Sequence, residues 1–246
     1  MKMNGKRKVA LLILFVATMI SSLGSQAQNY VTVWTGDNRL GLAAGVGHHF
    51  TPFDLSVPTG YTLEKEATTA LVTPSIGIYY GMEKELGGRW SFGYDTYGFL
   101  LKPRTYASLV NGAGVVYDYT FSALAINAYE KIYLAFRIAK DLQLNAGGGL
   151  AVNFMFNGEA VSETAGGPAC GYDETDGMGM GLSLVFSAGI TYYLSDIFFV
   201  KGACDVTTGS LFDSENWGSG GSSALVATAT SGMNVALIAT IGFKWK

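Results

Sequence analysis

Apolar residues recur at every second position in eight separate stretches of this 246-residue chain. Successive residues of a β-strand point to opposite faces, so this period predicts strands with one apolar and one polar face. The 33 glycines and the 13% of aromatic residues also favour strands and turns over a helical bundle. The eight predicted strands span residues 39–50, 70–81, 88–101, 119–138, 142–156, 180–194, 197–206 and 227–245.

The connections between these predicted strands alternate in length. Residues 51–69, 102–118, 157–179 and 207–226 form long connections, whereas residues 82–87, 139–141 and 195–196 form short ones. When strands run up and down in chain order, odd connections lie at one end of a barrel and even connections at the other. Long outer loops and short periplasmic turns are typical of transmembrane barrels. We therefore predict an all-β fold, an eight-stranded antiparallel up-and-down transmembrane β-barrel.

The two faces of the strands differ in a way that favours a membrane barrel. The polar face is mostly Gly, Ala, Ser, Thr, Asn and Tyr, and only 14% of all residues are charged, against about 25% in ordinary soluble proteins. A soluble barrel of the lipocalin kind, the structural alternative, would carry a charged outer surface. The scattered charges fit a narrow lumen instead. The predicted cluster of polar and charged lumen residues comprises Asp95, Tyr129, Lys131, Tyr133, Arg137, Lys201 and Asp205.

Aromatic residues concentrate beside the short connections. Rings at this level of a transmembrane barrel form a girdle at the membrane interface. The predicted periplasmic girdle comprises Tyr80, Trp90, Tyr192, Phe198, Phe243 and Trp245.

Two residues depart from the pattern. Glu130 falls on the apolar face of the fourth predicted strand, which calls for either a bulge that turns it inward or a position near the outer rim. Pro74 lies inside the second predicted strand, where we expect a bulge or a locally missing ladder bond.

Residues 1–27 have the three parts of a secretory signal peptide. A basic start precedes an apolar run from Val9 to Ile20, and Ser25-Gln26-Ala27 supplies small residues for cleavage. The run is too short for a membrane-spanning helix. Residues 28–246 then form one barrel domain with 12 basic and 19 acidic residues, a net charge of −7, which disfavours nucleic-acid binding.

Three features together resemble the small outer-membrane β-barrels of Gram-negative bacteria, the OmpA/OmpX-like group and the "outer membrane protein beta-barrel domain" family. They are the leader, the Lys140-Asp141 and Ser195-Asp196 turns, and the final segment Val235–Lys246. That segment looks like the C-terminal signal read by the barrel-assembly machinery, except that Lys246 follows the terminal aromatic residue. The resemblance implies export to the outer membrane, contact with outer-membrane lipid and the assembly machinery, and a monomer.

Candidate catalytic and metal-binding residues are sparse. His48 and His49 are adjacent and point to opposite faces of a strand, so they would not easily share a metal. An enzyme would need one of them beside Asp54 or Ser56. The third long connection is acidic (Glu159, Glu163, Asp173, Glu174 and Asp176), but its spacing matches no calcium loop. No cofactor or metal site is predicted.

The two cysteines, Cys170 and Cys204, lie in neighbouring parts of the predicted barrel. The exported compartment permits a disulfide between them, whereas an unpaired Cys204 would be a small lipid-facing residue. For function, we predict a non-enzymatic structural or surface-interaction role carried by the long outer loops, whose ligand is unknown. A narrow channel for ions or small solutes is the second interpretation, and a lipid- or peptide-modifying enzyme is the third.

Overall fold

The computed structural model describes residues 36–49, 53–65, 72–172, 179–208, 212–213, 224–229 and 233–246. The predicted signal peptide lies outside these ranges and stays a prediction. Within them, no helix is long and apolar enough to span a membrane. The strands are β1 (Asp37–His49), β2 (Phe53–Ser56), β3 (Tyr61–Lys65), β4 (Val72–Gly87), β5 (Trp90–Leu101), β6 (Arg104–Asn111), β7 (Val116–Ala139), β8 (Leu142–Ser162), β9 (Ala169–Tyr172), β10 (Gly179–Tyr193), β11 (Phe198–Thr207), β12 (Phe212–Asp213), β13 (Ala224–Ala229) and β14 (Asn234–Trp245).

Eight long strands close into a ring in the order β1-β4-β5-β7-β8-β10-β11-β14, and β14 pairs with β1. Every neighbouring pair in the ring is antiparallel. The predicted fold, an eight-stranded antiparallel up-and-down barrel, is therefore confirmed.

The register fixes the width and tilt of the barrel. A walk across the paired residues from Asn38 returns to β1 at His48, ten residues further along the strand. Such a stagger tilts the strands by about 40° from the barrel axis, and eight strands leave an interior that side chains just fill.

The alternation of the sequence places apolar residues on the outer wall. Along β1, Leu40, Leu42 and Val46 are exposed while Arg39 and Ala43 are buried inside the ring. The same holds round the ring, where Ile76, Ile78, Phe186, Leu237 and Ile241 are each more than half exposed. We call this band of outward apolar side chains the apolar belt.

The predicted boundaries differ from the structure by six or more residues at three strands, of which β8 continues to Ser162 instead of ending at 156. β4 continues to Gly87, six residues beyond its predicted end, because the turn to β5 is very tight. Gly87 and Gly88 make that turn with φ of 118° and 62°, values that residues with a Cβ rarely adopt. The last predicted strand, 227–245, is wrong at its start, since the ring strand begins at Asn234 and Ala224–Ala229 forms a separate short strand.

Pro74 causes no bulge in the β1–β4 ladder, where it lies opposite Val46 without a shift of register. The ladder between β4 and β5 begins only at Ser75. Pro74 therefore lies just outside that ladder, which corresponds to the second of the two expectations, a local gap in the hydrogen bonds.

Additional strands extend the barrel at the end of the long connections. β6 and β3 continue the sheet beside the upper part of β7, and β8 follows β7 upward to Ser162. A separate three-stranded sheet combines β2, β13 and β9. We call β3, β6 and the paired upper parts of β7 and β8 the outer extension. Its centre contains Leu109, Tyr119 and Phe121, which are fully buried.

Candidate functional site

The interior of the ring holds three buried ion pairs. Arg39 Nη2 lies 2.9 Å from Glu83 Oε2, Lys131 Nζ lies 2.7 Å from Asp205 Oδ2, and Lys201 pairs with Asp95. All six side chains are at most 5% exposed. Charges this deeply buried require partners, because an unpaired charge in such surroundings costs several kcal/mol. We call this set the ion-pair column.

Each carboxylate of the column accepts further hydrogen bonds. Asp205 accepts from the Ser187 hydroxyl at 2.5 Å, and Asp95 accepts from the Tyr79 hydroxyl at 2.8 Å. Glu83 accepts from the Tyr133 hydroxyl at 3.0 Å and from Gln143 Nε2 at 2.8 Å. These bonds fix the position of each charge and extend each ion pair into a small hydrogen-bonded group.

Aromatic rings line the column. Lys131 Nζ lies 4.5 Å from the centre of the Tyr97 ring, and Lys201 Nζ lies 4.5 Å from the centre of the Tyr133 ring. Cation–π contacts at this distance add to the stability of a desolvated cation. The column is thus packed as well as paired.

Apolar packing continues above the ion pairs. The rings of Tyr97 and Phe99 stack with centroids 5.5 Å apart, and Phe99 meets Tyr129 edge to face at 5.8 Å. A cavity of about 10 Å³ at this level, bordered by Asn127 and Asn234, has room for about one water molecule. The described side chains therefore fill the lumen at the levels of the ion pairs and of these rings.

The predicted lumen residues are distributed over three levels. Asp95, Lys131, Lys201 and Asp205 belong to the ion-pair column, Tyr133 hydrogen-bonds to it, and Tyr129 packs in the apolar layer above. Arg137 lies apart from them, where its Nη2 is 2.8 Å from Glu85 Oε1 at the short-turn mouth and its side chain is 38% exposed.

Two residues of the column and several side chains that contact it were missed by the sequence interpretation. Arg39, Tyr79, Tyr97 and Gln143 alternate with apolar residues, so the same period-two signal that found Lys131 identifies their inward direction. Glu83 was missed because the second strand was predicted to end before it.

The short-turn mouth opens into a charged cavity of about 890 Å³. Its lining includes Glu85 and Arg137, and also Lys244, whose Nζ lies 3.2 Å from Asp37 Oδ2. This cavity is lined by side chains of both charges. Glu83, which pairs with Arg39, is part of its lining.

The predicted girdle residues all lie outward, towards the short-turn end. Trp90 packs on Phe136 with ring centroids 4.9 Å apart, and Phe243 packs on Trp245 at 5.5 Å. The Tyr80 hydroxyl donates to Asn38 Oδ1 at 3.1 Å. Tyr192 and Phe198 are 49% and 55% exposed.

Glu130 lies within the apolar belt, and both explanations predicted for it are wrong. The register of β7 is unbroken at Glu130, which lies opposite Thr96 on one side and Leu150 on the other. The outward Ile126 lies four residues beyond it, so Glu130 is not at the rim. Glu130 lies six positions before Phe136, whose ring packs on the girdle residue Trp90. This spacing places Glu130 roughly 15 Å above the girdle, and the apolar belt of such barrels is about 25 Å tall.

The two cysteines are unpaired, so of the two alternatives left open by the sequence the disulfide is not formed. Cys170 packs against the buried cluster of the outer extension, whereas Cys204 is exposed on the outer wall of β11. The two side chains therefore lie in different environments. Burial raises the pKa of the Cys170 thiol above its ordinary value.

The outer surface of the extension is polar and internally paired. Lys102 Nζ lies 2.7 Å from Glu159 Oε2, and the Ser108 hydroxyl donates to Asp118 Oδ1 at 2.6 Å. The hydrogen bond from Lys102 and its charge hold the pKa of the Glu159 carboxyl below its ordinary value.

Of the predicted acidic loop, Glu159 and Glu163 are described, and the remaining three acidic residues lie outside the described ranges. No group of three metal-ligating side chains occurs in the described part of the chain. The side chains of His48, His49 and Asp54 also lie outside it, so the arrangement predicted for an enzyme stays a prediction.

No model of a protein family matches the chain, and no curated protein matches it. Among solved structures, it is similar to Ail, the attachment invasion locus protein of Yersinia pestis, with a TM-score of 0.39, 12% identity, and coverage of 85% of this chain and 99% of that one. It is also similar to the outer membrane protein OprG of Pseudomonas aeruginosa, with a TM-score of 0.40, 10% identity, and coverage of 85% and 96%.

A third similar structure is the outer membrane protease OmpT of Escherichia coli, with a TM-score of 0.38, 10% identity, and coverage of 86% and 96%. These neighbours are outer-membrane proteins. Similarity this low carries no inference about activity or ligand, and the narrower OmpA/OmpX-like assignment stays a prediction.

Proposed function

We propose that this chain is an integral β-barrel of the Gram-negative outer membrane, with a structural or surface-interaction role carried by its outer extension, and that it is not an enzyme. The observation that carries the membrane part is the apolar belt on a closed ring of strands. Ile76 is 67% exposed and Leu42 is 66% exposed on this wall. In water such a continuous apolar surface would aggregate, whereas hydrocarbon covers it at no cost.

The closed ring supports the same conclusion. A bilayer core supplies no hydrogen bonds to the backbone, so only helices and closed barrels span it. The aromatic rings near the short turns give the wall an interfacial girdle. The final strand β14, Asn234–Trp245, closes the ring and fits the proposed contact with the barrel-assembly machinery.

The ion-pair column favours a structural role over the channel interpretation. A conducting lumen needs a continuous water path, but here Lys131, Lys201 and Arg39 are each committed to a buried carboxylate. The packed Phe99 and Tyr129 rings close the level above. At the end of the barrel that carries the long connections, the described outer extension presents polar side chains to water and so offers a recognition surface.

The proposed membrane location and the occlusion of the lumen are tested by refolding the chain into phosphatidylcholine vesicles. We expect a heat-modifiable band on gels, protection of the barrel from protease, and no conductance in planar bilayers. A steady conductance would overturn the occluded lumen. A chain that stays soluble without lipid would overturn the membrane location.

The surface role is tested with the chain in nanodiscs on arrays of glycans and extracellular-matrix proteins. The matched control replaces residues 104–121 by a short turn, which removes β6 and the part of β7 that pairs with it but leaves the ladder between β5 and β7. We expect binding by the intact chain and its loss in the control. Equal binding by both chains, or by neither, would refute the role of the extension.

A further inference from the structure

We propose that two copies of this chain associate side by side in the membrane through the outer wall around Glu130. This inference rests on the proposed membrane location. It replaces the monomer predicted from the sequence with a symmetric pair whose contact is formed by β5, β7 and β8.

The argument begins with the unusual position of Glu130. Among the described residues, it is the one acidic side chain that points outward within the apolar belt. Its side chain is partly exposed, and its covered Oε2 atom makes no hydrogen bond with the described residues. A carboxyl group in hydrocarbon is stabilised only by a hydrogen-bonding partner, and the described part of its own chain supplies none to that atom.

Further polar groups lie beside it on the same wall. Thr96 is directly opposite Glu130 on β5, and the Tyr94 and Thr96 hydroxyls are 3.2 Å apart. Outward side chains elsewhere in the belt are apolar, so these three form a small polar site on an otherwise apolar surface. We call Tyr94, Thr96 and Glu130 the lateral polar site.

The residues around this site allow close approach of another wall. Gly98 lies opposite Ala128, and Gly148 lies opposite Ile132. Small residues let two membrane-embedded surfaces come near enough for hydrogen bonds to form between them. These positions accommodate a partner, and the unpaired carboxyl gives the partner something to bind.

The chemistry of the site favours a second copy as the occupant. Among the described ring strands, the outward Lys84 lies near the short turn at Gly87 and Gly88, so no Lys or Arg of the wall lies at the level of Glu130. A neutral carboxyl both donates and accepts a hydrogen bond, and so does a Thr hydroxyl. Such groups are self-complementary across a two-fold axis, which is what a symmetric dimer requires.

The proposal is tested by cysteine cross-linking in phosphatidylcholine vesicles, in a background in which Cys170→Ala and Cys204→Ala remove both native thiols. Ala128→Cys places a thiol beside Glu130. Ala239→Cys is the matched control, because β14 lies across the ring from β7 and Ala239 is also a small outward residue. We expect oxidation to link Ala128→Cys chains about tenfold more efficiently than the control.

Two further variants address the carboxyl itself. Glu130→Leu in the Ala128→Cys background should lower the cross-linked fraction about tenfold, whereas Glu130→Gln should retain it, because an amide also donates and accepts. Heat-modifiable mobility is recorded for every variant, so failure to insert is distinguished from failure to dimerise. Equal cross-linking at both positions, no effect of Glu130→Leu, or chains that insert but give no dimer would each overturn the proposal.

Discussion

The buried pair between Lys131 and Asp205 provides the most direct quantitative test of the occluded lumen. Both side chains are almost wholly covered, at 2% and 0% exposure, and their charged atoms are 2.7 Å apart. Lys131→Met removes the cation but keeps a long apolar side chain in the space it filled. Asp205 then retains the Ser187 hydroxyl as its remaining described donor.

The expected loss follows from the burial of the pair. Removal of one member of a buried ion pair typically costs about 3–5 kcal/mol, because the other charge stays buried and uncompensated. The loss of the contact with the Tyr97 ring acts in the same direction. We therefore expect the free energy of unfolding of Lys131→Met to fall by about 3–5 kcal/mol.

The double variant separates burial of a charge from loss of packing. With Lys131→Met and Asp205→Val together, no charge is stranded, and the main remaining defect is the Ser187 hydroxyl without its acceptor. We expect a loss of about 1–2 kcal/mol, smaller than that of Lys131→Met alone.

Equilibrium urea unfolding in phosphatidylcholine vesicles, followed by tryptophan fluorescence, measures these differences. Arg137→Met is the matched control, because it breaks a pair with Glu85 whose side chains are 38% and 71% exposed. An exposed pair contributes about 0–1 kcal/mol. If Lys131→Met loses no more than Arg137→Met, the lumen is hydrated and the argument for occlusion is wrong.

Two other predictions address packing and pH. Gly93→Ala should lower the free energy of unfolding by about 1–3 kcal/mol, because a Cβ there would lie 2.1 Å from Tyr133 Cζ, whereas Gly202→Ala meets no atom within 3.7 Å and should change little in the same urea assay. The Lys102–Glu159 contact forms at neutral pH and is lost as the pH falls through the lowered pKa of Glu159, below its ordinary value of 4.5. Carboxyl titration by NMR should show the pKa of Glu159 returning upward in Lys102→Met, and an unchanged titration would refute the contact.

The alternation of the sequence predicts the ring because successive residues of a barrel strand point in turn to the buried interior and to the exposed outer wall. It identifies the inward direction of Lys131 and Asp95 without any knowledge of the register. It does not predict their partners, because those depend on how far neighbouring strands are staggered. Asp95 and Lys131 lie directly opposite each other on β5 and β7, yet each binds a residue of β11.

The outer extension was not predicted, for a related physical reason. β6 and β3 are short, and their pairing with β7 depends on contacts above the ring rather than on a long alternating pattern. Glu83 was not assigned to a strand, because the alternation of apolar residues that indicated the second strand ends before it. The tight turn at Gly87 and Gly88 lets β4 continue beyond that point.

The ion-pair column has a consequence for how the barrel assembles. Lys131 and Asp205 are 74 residues apart in the chain, and Asp95 and Lys201 are 106 residues apart. Contacts this distant form late, because the loop between them must first be closed. The Arg39–Glu83 pair joins neighbouring strands, but the Lys131–Asp205 and Lys201–Asp95 pairs cannot form until the sheet curls shut, and until then water solvates their charged groups on its concave side. Closure of the cylinder, expulsion of water and neutralisation of these charges therefore occur as one cooperative event, and a half-inserted sheet has no stable resting state.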